Sequence, residues 1–265
     1  MIFQKKLDAI IDKNNSLVCI GLDPEKEKLS TSIFEFNKAI IDATRDLVCA
    51  YKPNIAFYEA GGIDGLTQLK QTLEYLKKNY PDVPTILDAK RGDIGNSSKL
   101  YAKAMFEYWD VDAITLNPFS GNDSLQPFLD YKDRGNFIWC KSSNPGGGEF
   151  QDLLVNDELL YLKIAKNVAD EWNKNDNCML VVGATYTRQI AQVRSVVGDI
   201  TLLVPGIGAQ GGSVEDTVKA GLNSQKKGLI ISASRSIIYA STGKDFAEQA
   251  KVETSKLRDD INKYR

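Results

Sequence analysis

The sequence contains no histidine among its 265 residues. Histidine is the commonest general acid–base group near neutral pH and the commonest protein ligand of metal ions, so any proton transfer here must use lysine, a carboxylate, tyrosine or cysteine. Cysteine is scarce: Cys19, Cys49, Cys140 and Cys178 are widely spaced and lie in short apolar runs. No CxxC or other metal-ligand spacing occurs, so we predict small buried hydrophobic side chains rather than disulfides.

Long hydrophobic runs and an excess of one charge are missing as well. The formal net charge of −2 excludes a broad basic surface that would attract nucleic acid, although a local anion site is compatible with it. The first residues mix charges with apolar residues at helical spacing, unlike a signal peptide, and the longest apolar runs are far too short to span a bilayer. We therefore expect a globular cytoplasmic protein without membrane association.

What the sequence does contain is a repeated alternation of short apolar runs with charged amphipathic stretches. The runs are SLVCIGL (16–22), LVCAYKP (47–53), PTILDAK (84–90), AITLNP (113–118), NFIWCKS (136–142), CMLVVGA (178–184), ITLLVPG (200–206) and GLIISAS (228–234). Continuous runs bounded by turn residues suit strands that are buried on both faces, as in a parallel sheet. The alternation predicts an α/β fold, a (β/α)8 TIM barrel forming a single domain over residues 1–265. A doubly wound open sheet is the alternative.

The predicted strands end in polar residues, at the point where a barrel of this kind carries its active site. These residues are Asp23 after the first run, Lys52 and Asn54 after the second, Asp88 and Lys90 at the third, Asn117 after the fourth, Lys141, Ser142 and Ser143 at the fifth, and Ser234 and Arg235 at the eighth. Each has a plainer interpretation, because a single strand-end Asp is more often a helix cap or a turn former than a catalyst.

The stretch LDAKRGDIGNSS, residues 87–98, gathers four charges between an apolar run and a predicted helix start. Asp88 and Lys90 are two residues apart on one strand, so their side chains point to the same side. In a strand buried on both faces that side is either the core or the mouth of the barrel. Isolated charges in a core would be very costly, so this pair predicts a functional site at the mouth.

Glycine-rich stretches follow two of the predicted strands. The glycines of VPGIGAQGG, after the seventh strand, can bring backbone N–H groups close to an anion. SASRS follows at the eighth strand, and Gln210 and Arg235 are suitable side-chain donors. In barrels of this class these two loops often hold a phosphate, whereas the alternative is that the glycines only permit tight turns. NPGGGEF (144–150), after the fifth run, is either a mobile flap over the site or a flexible turn.

Five motifs together resemble one family. DAKRGDIGNSS resembles the D-x-K-x-x-D signature, followed by I-G, of the orotidine 5′-phosphate decarboxylase family. CIGLDP, YKPNIAFYE, VPGIGAQGG and SASRSIIYA resemble its other landmarks, in the right order from about Leu17 to Tyr239. The AKRGDIG sequence is similar to that of the longer bacterial-type (type 2) subfamily. The resemblance implies a lyase that converts orotidine 5′-monophosphate to UMP and carbon dioxide, in the last step of de novo pyrimidine synthesis.

The resemblance also implies roles for the charged residues. Lys90 resembles the proton donor to C6 of the pyrimidine, and Asp88 resembles the carboxylate beside the substrate carboxylate. Lys52 resembles the lysine that links these charges to the ribose, and Asp23 resembles the residue that holds a ribose hydroxyl, with Asn54 expected as a further substrate contact. The family uses neither a metal ion nor an organic cofactor, so none is expected here.

The implied assembly is a homodimer with shared active sites. Asp93 resembles the aspartate that is supplied by the other subunit, and Ile94 and Ser97 belong to the same loop. Asn96 and Ser97 stand where many relatives have a threonine, and a serine hydroxyl would keep the hydrogen bond.

Contacts to the base and the phosphate are implied as well. Ser142 or Ser143 resembles the hydroxyl near the pyrimidine edge, and the Ser-Ser pair leaves open which of the two it is. The remaining set resembles the family's phosphate grip; it consists of Pro205, Gly206, Gln210, Ser234 and Arg235.

Two other functions are compatible with parts of the pattern. Metal-dependent sugar-phosphate synthases and keto-gulonate phosphate decarboxylases also resemble D-x-K-x-x-D on this fold, but they hold magnesium partly through an acidic residue at the second strand end. This chain has Lys52 there, and a lysine repels a cation. A non-catalytic nucleotide-binding or scaffold protein on a decayed barrel should have lost the charged residues of the site. All four are present here, namely Lys52, Asp88, Lys90 and Asp93.

Overall fold

The structure, a computed structural model, describes residues 2–183, 185, 187–207 and 213–265. The strands of its main sheet are β1 (Val18–Leu22), β2 (Ala50–Pro53), β3 (Ile86–Arg91), β4 (Ala113–Leu116), β5 (Gly135–Lys141), β6 (Cys178–Val182), β7 (Leu202–Pro205) and β8 (Leu229–Ala233). All pair in parallel, in the order β2-β1-β8-β7-β6-β5-β4-β3. Parallel bridges between Tyr51 and Thr85 and between Asn54 and Asp88 join the two end strands. The sheet therefore closes on itself, and the predicted (β/α)8 barrel is confirmed in preference to an open sheet.

Helices fill the connections between the strands. They are α1 (Phe3–Asn14), α2 (Ile33–Thr44), α3 (Ile55–Glu59), α4 (Gly62–Asn79), α5 (Gly95–Lys103), α6 (Asn122–Leu129), α7 (Gly148–Gln151), α8 (Leu160–Asn167), α9 (Thr187–Val197), α10 (Val214–Gly221), α11 (Arg235–Ile238) and α12 (Phe246–Asn262). Two of them, α5 and α8, continue into π-helical turns at Ala104–Tyr108 and Val168–Trp172. A short antiparallel hairpin, Leu154–Val155 with Glu158–Leu159, precedes α8.

Burial explains why the strands read as continuous apolar runs. Every residue of β1, β6 and β8 is buried, because the outer face of each strand meets helices and the inner face fills the barrel. β3 is different: its last residues become partly or fully exposed, and these are the charged ones. The exception to the apolar pattern therefore lies at the carboxyl end of the sheet, as the sequence predicts.

Two of the helices begin at a serine cap. The Ser32 hydroxyl accepts a hydrogen bond from the Glu35 N–H at 3.1 Å, and the Ser213 hydroxyl accepts one from Asp216 at 3.3 Å. Each serine satisfies a backbone donor that the first helical turn leaves without a partner. These caps fix where α2 and α10 leave the barrel mouth.

The N-terminal helix α1 closes the opposite end of the barrel. The Phe3 N–H donates to the Asp133 carbonyl at 3.1 Å, and the Phe3 ring packs edge-on against Phe137 of β5 with centroids 5.7 Å apart. A side chain at Gly135 would lie 2.6 Å from the Phe3 ring, so the first residue of β5 has room for glycine alone. Closing the floor leaves the mouth as the open end.

All four cysteines are free and buried, which confirms their prediction as small hydrophobic residues. Burial raises the pKa of Cys19 to about 12 and does the same to Cys140 and Cys178, so these thiols stay protonated. Of the helices in the described part of the chain, none combines the length and the apolar character that crossing a bilayer requires.

Candidate active site

The centre of the site is a chain of three charges at the ends of β2 and β3. The Lys52 ammonium lies 2.9 Å from Asp88 Oδ2, and the Lys90 ammonium lies 2.7 Å from Asp88 Oδ1. The side chains of Lys52 and Asp88 are only 7% and 11% exposed, whereas that of Lys90 is 37% exposed. Each carboxylate oxygen therefore binds a different lysine, and Lys90 is the member that faces the open mouth.

The electrostatics of these three groups support one another. Burial by itself would raise the pKa of Asp88, but the adjacent Lys52 and Lys90 charges hold that pKa well below its usual range. Burial would likewise lower the pKa of Lys52, but Asp88 and Asp23 raise it above the ordinary value for lysine. Both groups are therefore ionised at neutral pH, and the site presents fixed charges in a partly desolvated setting.

The backbone of β3 is irregular where it carries these charges. Leu87 pairs with Ile114 of β4 and Arg91 pairs with Leu116, so β3 has two more residues than β4 between the same two points. Lys90 has a φ of 44°, in the left-handed region that residues with a side chain rarely adopt. Asp88 and Lys90 were predicted to point to the same side of a regular strand; their side chains are in contact, but the strand between them is bulged.

A threonine that the sequence reading did not single out sits inside this bulge. The Thr115 hydroxyl of β4 lies 2.9 Å from Asp88 Oδ1, 3.0 Å from the Ala89 N–H nitrogen and 2.9 Å from that of Lys90. Trp139 of β5 was also missed, and the Lys90 ammonium lies 5.6 Å from the centroid of its ring. In the sequence, both residues look like ordinary strand residues. Their functional neighbours lie on other strands, and the sequence does not show which strands are adjacent.

Asp23 and Asn54 meet beside the lysine–aspartate chain. Asp23 Oδ1 accepts a hydrogen bond from the Asn54 N–H at 3.2 Å. The Asn54 side chain accepts one from the Ala56 N–H at 3.1 Å and so caps α3. The plainer interpretation of a strand-end polar residue thus applies to the Asn54 side chain, while Asp23 is half-buried beside it.

Ser234 and Arg235 lie where β8 ends and α11 begins. The Ser234 hydroxyl donates to the Gly21 carbonyl at 3.0 Å, and a Cβ atom on Gly21 would lie 2.8 Å from Ser234 Cβ. This close approach of β1 and β8 requires glycine at position 21. The Arg235 side chain is exposed at the first position of α11, within reach of an anion at the mouth.

Pro205 and Gly206 lie at the end of β7, next to β8. Gly206 has a φ of 102°, a backbone conformation that requires glycine. The predicted donor Gln210 lies outside the described residues. Of the predicted phosphate-binding residues, the structure describes Pro205, Gly206, Ser234 and Arg235, and phosphate binding stays a prediction.

The end of β5 carries the two candidate serines and a buried lysine. The N–H and the hydroxyl of Ser142 both donate to Gln151 Oε1, at 2.9 and 3.1 Å. The Lys141 ammonium, 3% exposed, pairs with Asp152 at 2.7 Å. Ser143 is half-buried, and its carbonyl accepts a bond from the Thr185 hydroxyl at 3.3 Å.

The contacts of Ser142 with Gln151 and of Lys141 with Asp152 hold a segment that we call the flap and define as residues 144–153. The NPGGGEF stretch forms a 3₁₀ turn (Pro145–Gly147) and helix α7, and Gln151 and Asp152 follow directly. The stretch is therefore an ordered connection held to β5, rather than a loop without contacts.

Asp93, Ile94 and Ser97 follow β3, in the loop that leads into α5 and in the first turn of that helix. Asp93 Oδ1 accepts a hydrogen bond from the adjacent Ile94 N–H at 2.7 Å, and among the described residues it forms no ion pair. Ile94 is 65% exposed, and Ser97 is exposed in the first turn of α5. Among the described residues, no side-chain hydrogen bond or ion pair joins these three residues to Lys52, Asp88 or Lys90.

A separate cleft of about 440 Å³ opens at the floor of the barrel, far from these residues. Its charged side chains are paired with one another, as in Lys6 with Asp112 at 2.7 Å and Arg134 with Asp110 at 3.1 Å. Catalytic residues of such barrels belong to the carboxyl ends of the strands, so we assign the active site to the mouth.

Similarity to known proteins extends over nearly the whole chain. Residues 16–250 match the family described as Orotidine 5′-phosphate decarboxylase / HUMPS family. The chain is 50% identical over 271 residues to the orotidine 5′-phosphate decarboxylase of Cellvibrio japonicus, which covers 99% of this chain and 98% of that protein.

Solved structures of Leishmania donovani proteins share the fold. Its OMP decarboxylase has a TM-score of 0.85 and 35% identity, with 97% of this chain and 99% of that chain covered. Its UMP synthase has a TM-score of 0.91 and 37% identity over 100% of this chain, which spans only 56% of that longer chain.

Proposed function

Because this chain belongs to the orotidine 5′-phosphate decarboxylase / HUMPS family, we propose that it converts orotidine 5′-monophosphate to UMP and carbon dioxide. The observation that carries the proposal is the Lys52–Asp88–Lys90 chain at the barrel mouth. This reaction needs a cation beside the carbon that loses the carboxylate, and it needs a proton donor at the same place. Lys90 supplies both in a chain that has no histidine.

The chemical step follows from the chemistry of the substrate. The bond between C6 and the carboxylate carbon breaks, carbon dioxide leaves, and the electron pair stays on C6 in the plane of the ring. The Lys90 ammonium stabilises that developing charge and then transfers a proton to C6, and the neutral amine regains a proton from water. Asp88, held ionised by two lysines, lies where the substrate carboxylate would be repelled and the product would not.

Preorganisation is the main contribution of the protein in this proposal. Efficient enzymes lower barriers by roughly 8–23 kcal/mol, which is far more than one ion pair supplies. The charges here are fixed before substrate arrives, because Asp88 is bonded to both lysines at the same time. Binding energy from the distant phosphate is then available to align the substrate against them.

The rest of the nucleotide is assigned to the neighbouring strand ends. Asp23 and Lys52 hold the ribose, and the loop at Gly206 together with Ser234 and Arg235 holds the phosphate, with Gln210 as an expected further donor. Ser143 is assigned to the pyrimidine edge in preference to Ser142, because the Ser142 hydroxyl already donates to Gln151 and is 8% exposed.

We propose that the active unit is a homodimer in which Asp93 enters the partner's site. Large apolar side chains are exposed on the loop that carries it, on the following helix α5 and in the loop after β4, and exposed apolar surface of this kind is typical of protein interfaces. It includes Ile94 at 65%, Leu100 at 62% and Phe119 at 85% exposed. The partner subunit's Asp93 would add a second carboxylate to the chain of alternating charges.

The family also includes members that use a metal ion, as the resemblance of the D-x-K-x-x-D signature implies. Lys52 argues for the metal-free reaction, since its buried ammonium occupies the second strand end and binds Asp88. Among the described residues, no three His, Cys, Asp or Glu side chains lie close enough together to hold a metal ion. We therefore propose catalysis without a metal or an organic cofactor.

Subfamily, domain organisation and location complete the proposal. The AKRGDIG sequence supports the type 2 subfamily, with the catalytic domain formed by residues 1–265. Four free, buried cysteines suit the reducing cytoplasm, where disulfides are rare.

The test is an absorbance assay for the loss of orotidine 5′-monophosphate, run with and without EDTA. We expect turnover that EDTA does not reduce. Lys90→Ala should lower kcat at least about 10⁴-fold while UMP still binds, because the phosphate and ribose contacts lie elsewhere. Lys251→Ala, an exposed lysine on α12, is the matched control and should keep wild-type kcat. Loss of activity on chelation, restored by magnesium, would favour the metal-dependent reaction, and a tenth of normal activity in Lys90→Ala would remove Lys90 as the essential acid.

A further inference from the structure

We propose that Thr115 is a positioning residue that fixes both Asp88 and Lys90 through its buried hydroxyl. The inference rests on the proposed decarboxylation for its kinetic readout. Thr115 lies on β4, one strand away from the two charged residues, and it is 1% exposed. It therefore acts through its neighbours rather than on the substrate.

The hydrogen-bond geometry determines the direction in which this hydroxyl points. A threonine hydroxyl has one proton and two acceptor lone pairs. The backbone N–H groups of Ala89 and Lys90 can only donate, and they occupy the two acceptor positions at 3.0 and 2.9 Å. The single proton must then be directed to Asp88 Oδ1, 2.9 Å away. All three bonding positions of the hydroxyl are used, so Asp88 receives a donor with a fixed orientation.

The same bonds compensate for the irregular register of β3. The ladder to β4 is regular at Leu87 and is regained at Arg91, and the residues between them have no partner positions on β4. The N–H groups of Ala89 and Lys90 would otherwise be donors near the barrel interior without a backbone acceptor, which is unfavourable. The Thr115 oxygen replaces the missing carbonyl for both of them.

The bulge in turn controls where the Lys90 ammonium lies. A φ of 44° costs free energy for a residue with a side chain, so it persists only where the surroundings enforce it. The bond from the Lys90 N–H to Thr115 is one of those surroundings, and the other is the 2.7 Å contact of its ammonium with Asp88. Both ends of Lys90 thus depend, directly or through Asp88, on one hydroxyl group.

The experiment compares Thr115→Val, which replaces the hydroxyl by a methyl group of similar size, with Thr115→Ser, which keeps the hydroxyl. We expect kcat to fall roughly 30- to 100-fold in Thr115→Val, since a misplacement of about 1 Å costs on the order of 10²-fold. Thr115→Ser should stay within about threefold of wild type. The affinity for UMP should change less than about threefold in both variants, because the ribose and phosphate contacts are elsewhere.

Thr254→Val is the matched control for the loss of a buried threonine hydroxyl. Thr254 is 0% exposed on α12, and its hydroxyl donates to the Ala250 carbonyl at 2.6 Å, away from the mouth. This variant should lose thermal stability and keep kcat. If Thr115→Val does not fold, Thr115→Ala takes its place, with the same expected fall in kcat.

A crystal structure of the folded Thr115 variant gives a readout that does not need activity. We expect Lys90 to leave the left-handed backbone region or to lose its contact with Asp88. A wild-type chain without decarboxylase activity would refute the proposed function, and this structure would still decide the inference. Normal kcat in the hydroxyl-free variant, unchanged Lys90 geometry, or a fall in UMP affinity as large as that in kcat would overturn it.

Discussion

Asp88 is the residue on which both lysines at the mouth depend. Its two oxygens bind different ammonium groups, and removing one partner of a buried ion pair typically costs about 3–5 kcal/mol because the other charge is left uncompensated.

The pKa of Asp88 is lowered by folding, so its stabilisation is present above the unfolded pKa and is lost as the pH falls through the folded pKa. The pKa of Lys52 is raised, so its stabilisation is present below the unfolded value and is lost as the pH rises through the folded pKa. The pair is therefore intact across the neutral range.

Arg235 offers a test of the phosphate assignment at the scale of one residue. Its exposed guanidinium at the start of α11 can form two charge-assisted bonds to a phosphate, each contributing about 1.5–3 kcal/mol. We expect Arg235→Ala to lower kcat/KM for orotidine 5′-monophosphate by roughly 10²- to 10⁴-fold, as measured by steady-state kinetics. Added guanidinium should restore part of the rate.

The matched control for Arg235 is Arg258→Ala. Arg258 lies on α12, where it pairs with Asp259 at 2.8 Å, and it should leave kcat/KM unchanged. Wild-type kcat/KM in Arg235→Ala would contradict the phosphate assignment. The assignment also requires that wild type and Arg235→Ala have the same kcat/KM for a substrate that lacks the phosphate.

At the scale of the elements, β3 separates what the sequence predicts from what it does not. The strand and its charged end were predictable. Burying Asp88 and Lys90 in the barrel core would cost too much free energy, so the end of the apolar run had to lie at the mouth. The bulge was not predictable, since it exists only in the register against β4, and register is a property of two strands. Thr115 was missed for the same reason: its partners are 25 to 27 positions away in the chain.

The flap shows a similar division. Its glycines identified a turn after β5, and the polar residues Lys141 and Ser142 were noted at the strand end. The partners Gln151 and Asp152 lie about ten residues further on, and no sequence pattern connects them with the strand. The contacts that hold residues 144–153 to β5 are therefore visible only in three dimensions, and a mobile flap over the site stays a prediction.

Asp152→Asn tests whether the ion pair with Lys141 holds this flap. The substitution leaves the buried Lys141 ammonium without its counter-charge, and because Asp152 is 42% exposed we expect a loss of about 1–2 kcal/mol in the free energy of unfolding, less than for a fully buried pair. Faster proteolysis within residues 144–153 and a several-fold higher KM should accompany it. These are measured by urea denaturation, timed digestion and steady-state kinetics.

Glu149→Gln is the control within the same flap. Glu149 is exposed in α7, so removing its charge should change neither stability nor digestion. Equal behaviour of the two variants would show that the Lys141–Asp152 contact does not hold the flap in place.

At the scale of the whole molecule, barrel closure brings distant parts of the sequence to one opening. The bridge between Asn54 and Asp88 joins β2 to β3 and sets Lys52 beside Asp88, although 36 positions separate them. Asp93 lies in the loop after β3, next to Ile94, which is 65% exposed. One chain thus forms the lysine–aspartate array, and we propose that its Asp93 serves the site of a partner.

Mixing two inactive variants tests whether that carboxylate crosses to a partner. If each active site takes Lys90 from one chain and Asp93 from the other, Lys90→Ala and Asp93→Asn homodimers each have two damaged sites. In a hybrid dimer one site collects both lesions and the other collects neither, by the two-fold symmetry of the interface. With random exchange about half of the dimers are hybrids, so about a quarter of all sites are intact and activity should rise from near zero towards about a quarter of wild type. The mixture is assayed after subunit exchange has been verified with differently tagged chains, and each variant incubated alone is the control. If exchange is complete and the activity stays at the level of the parents, Asp93 acts within its own chain or not at all, and the shared site is ruled out.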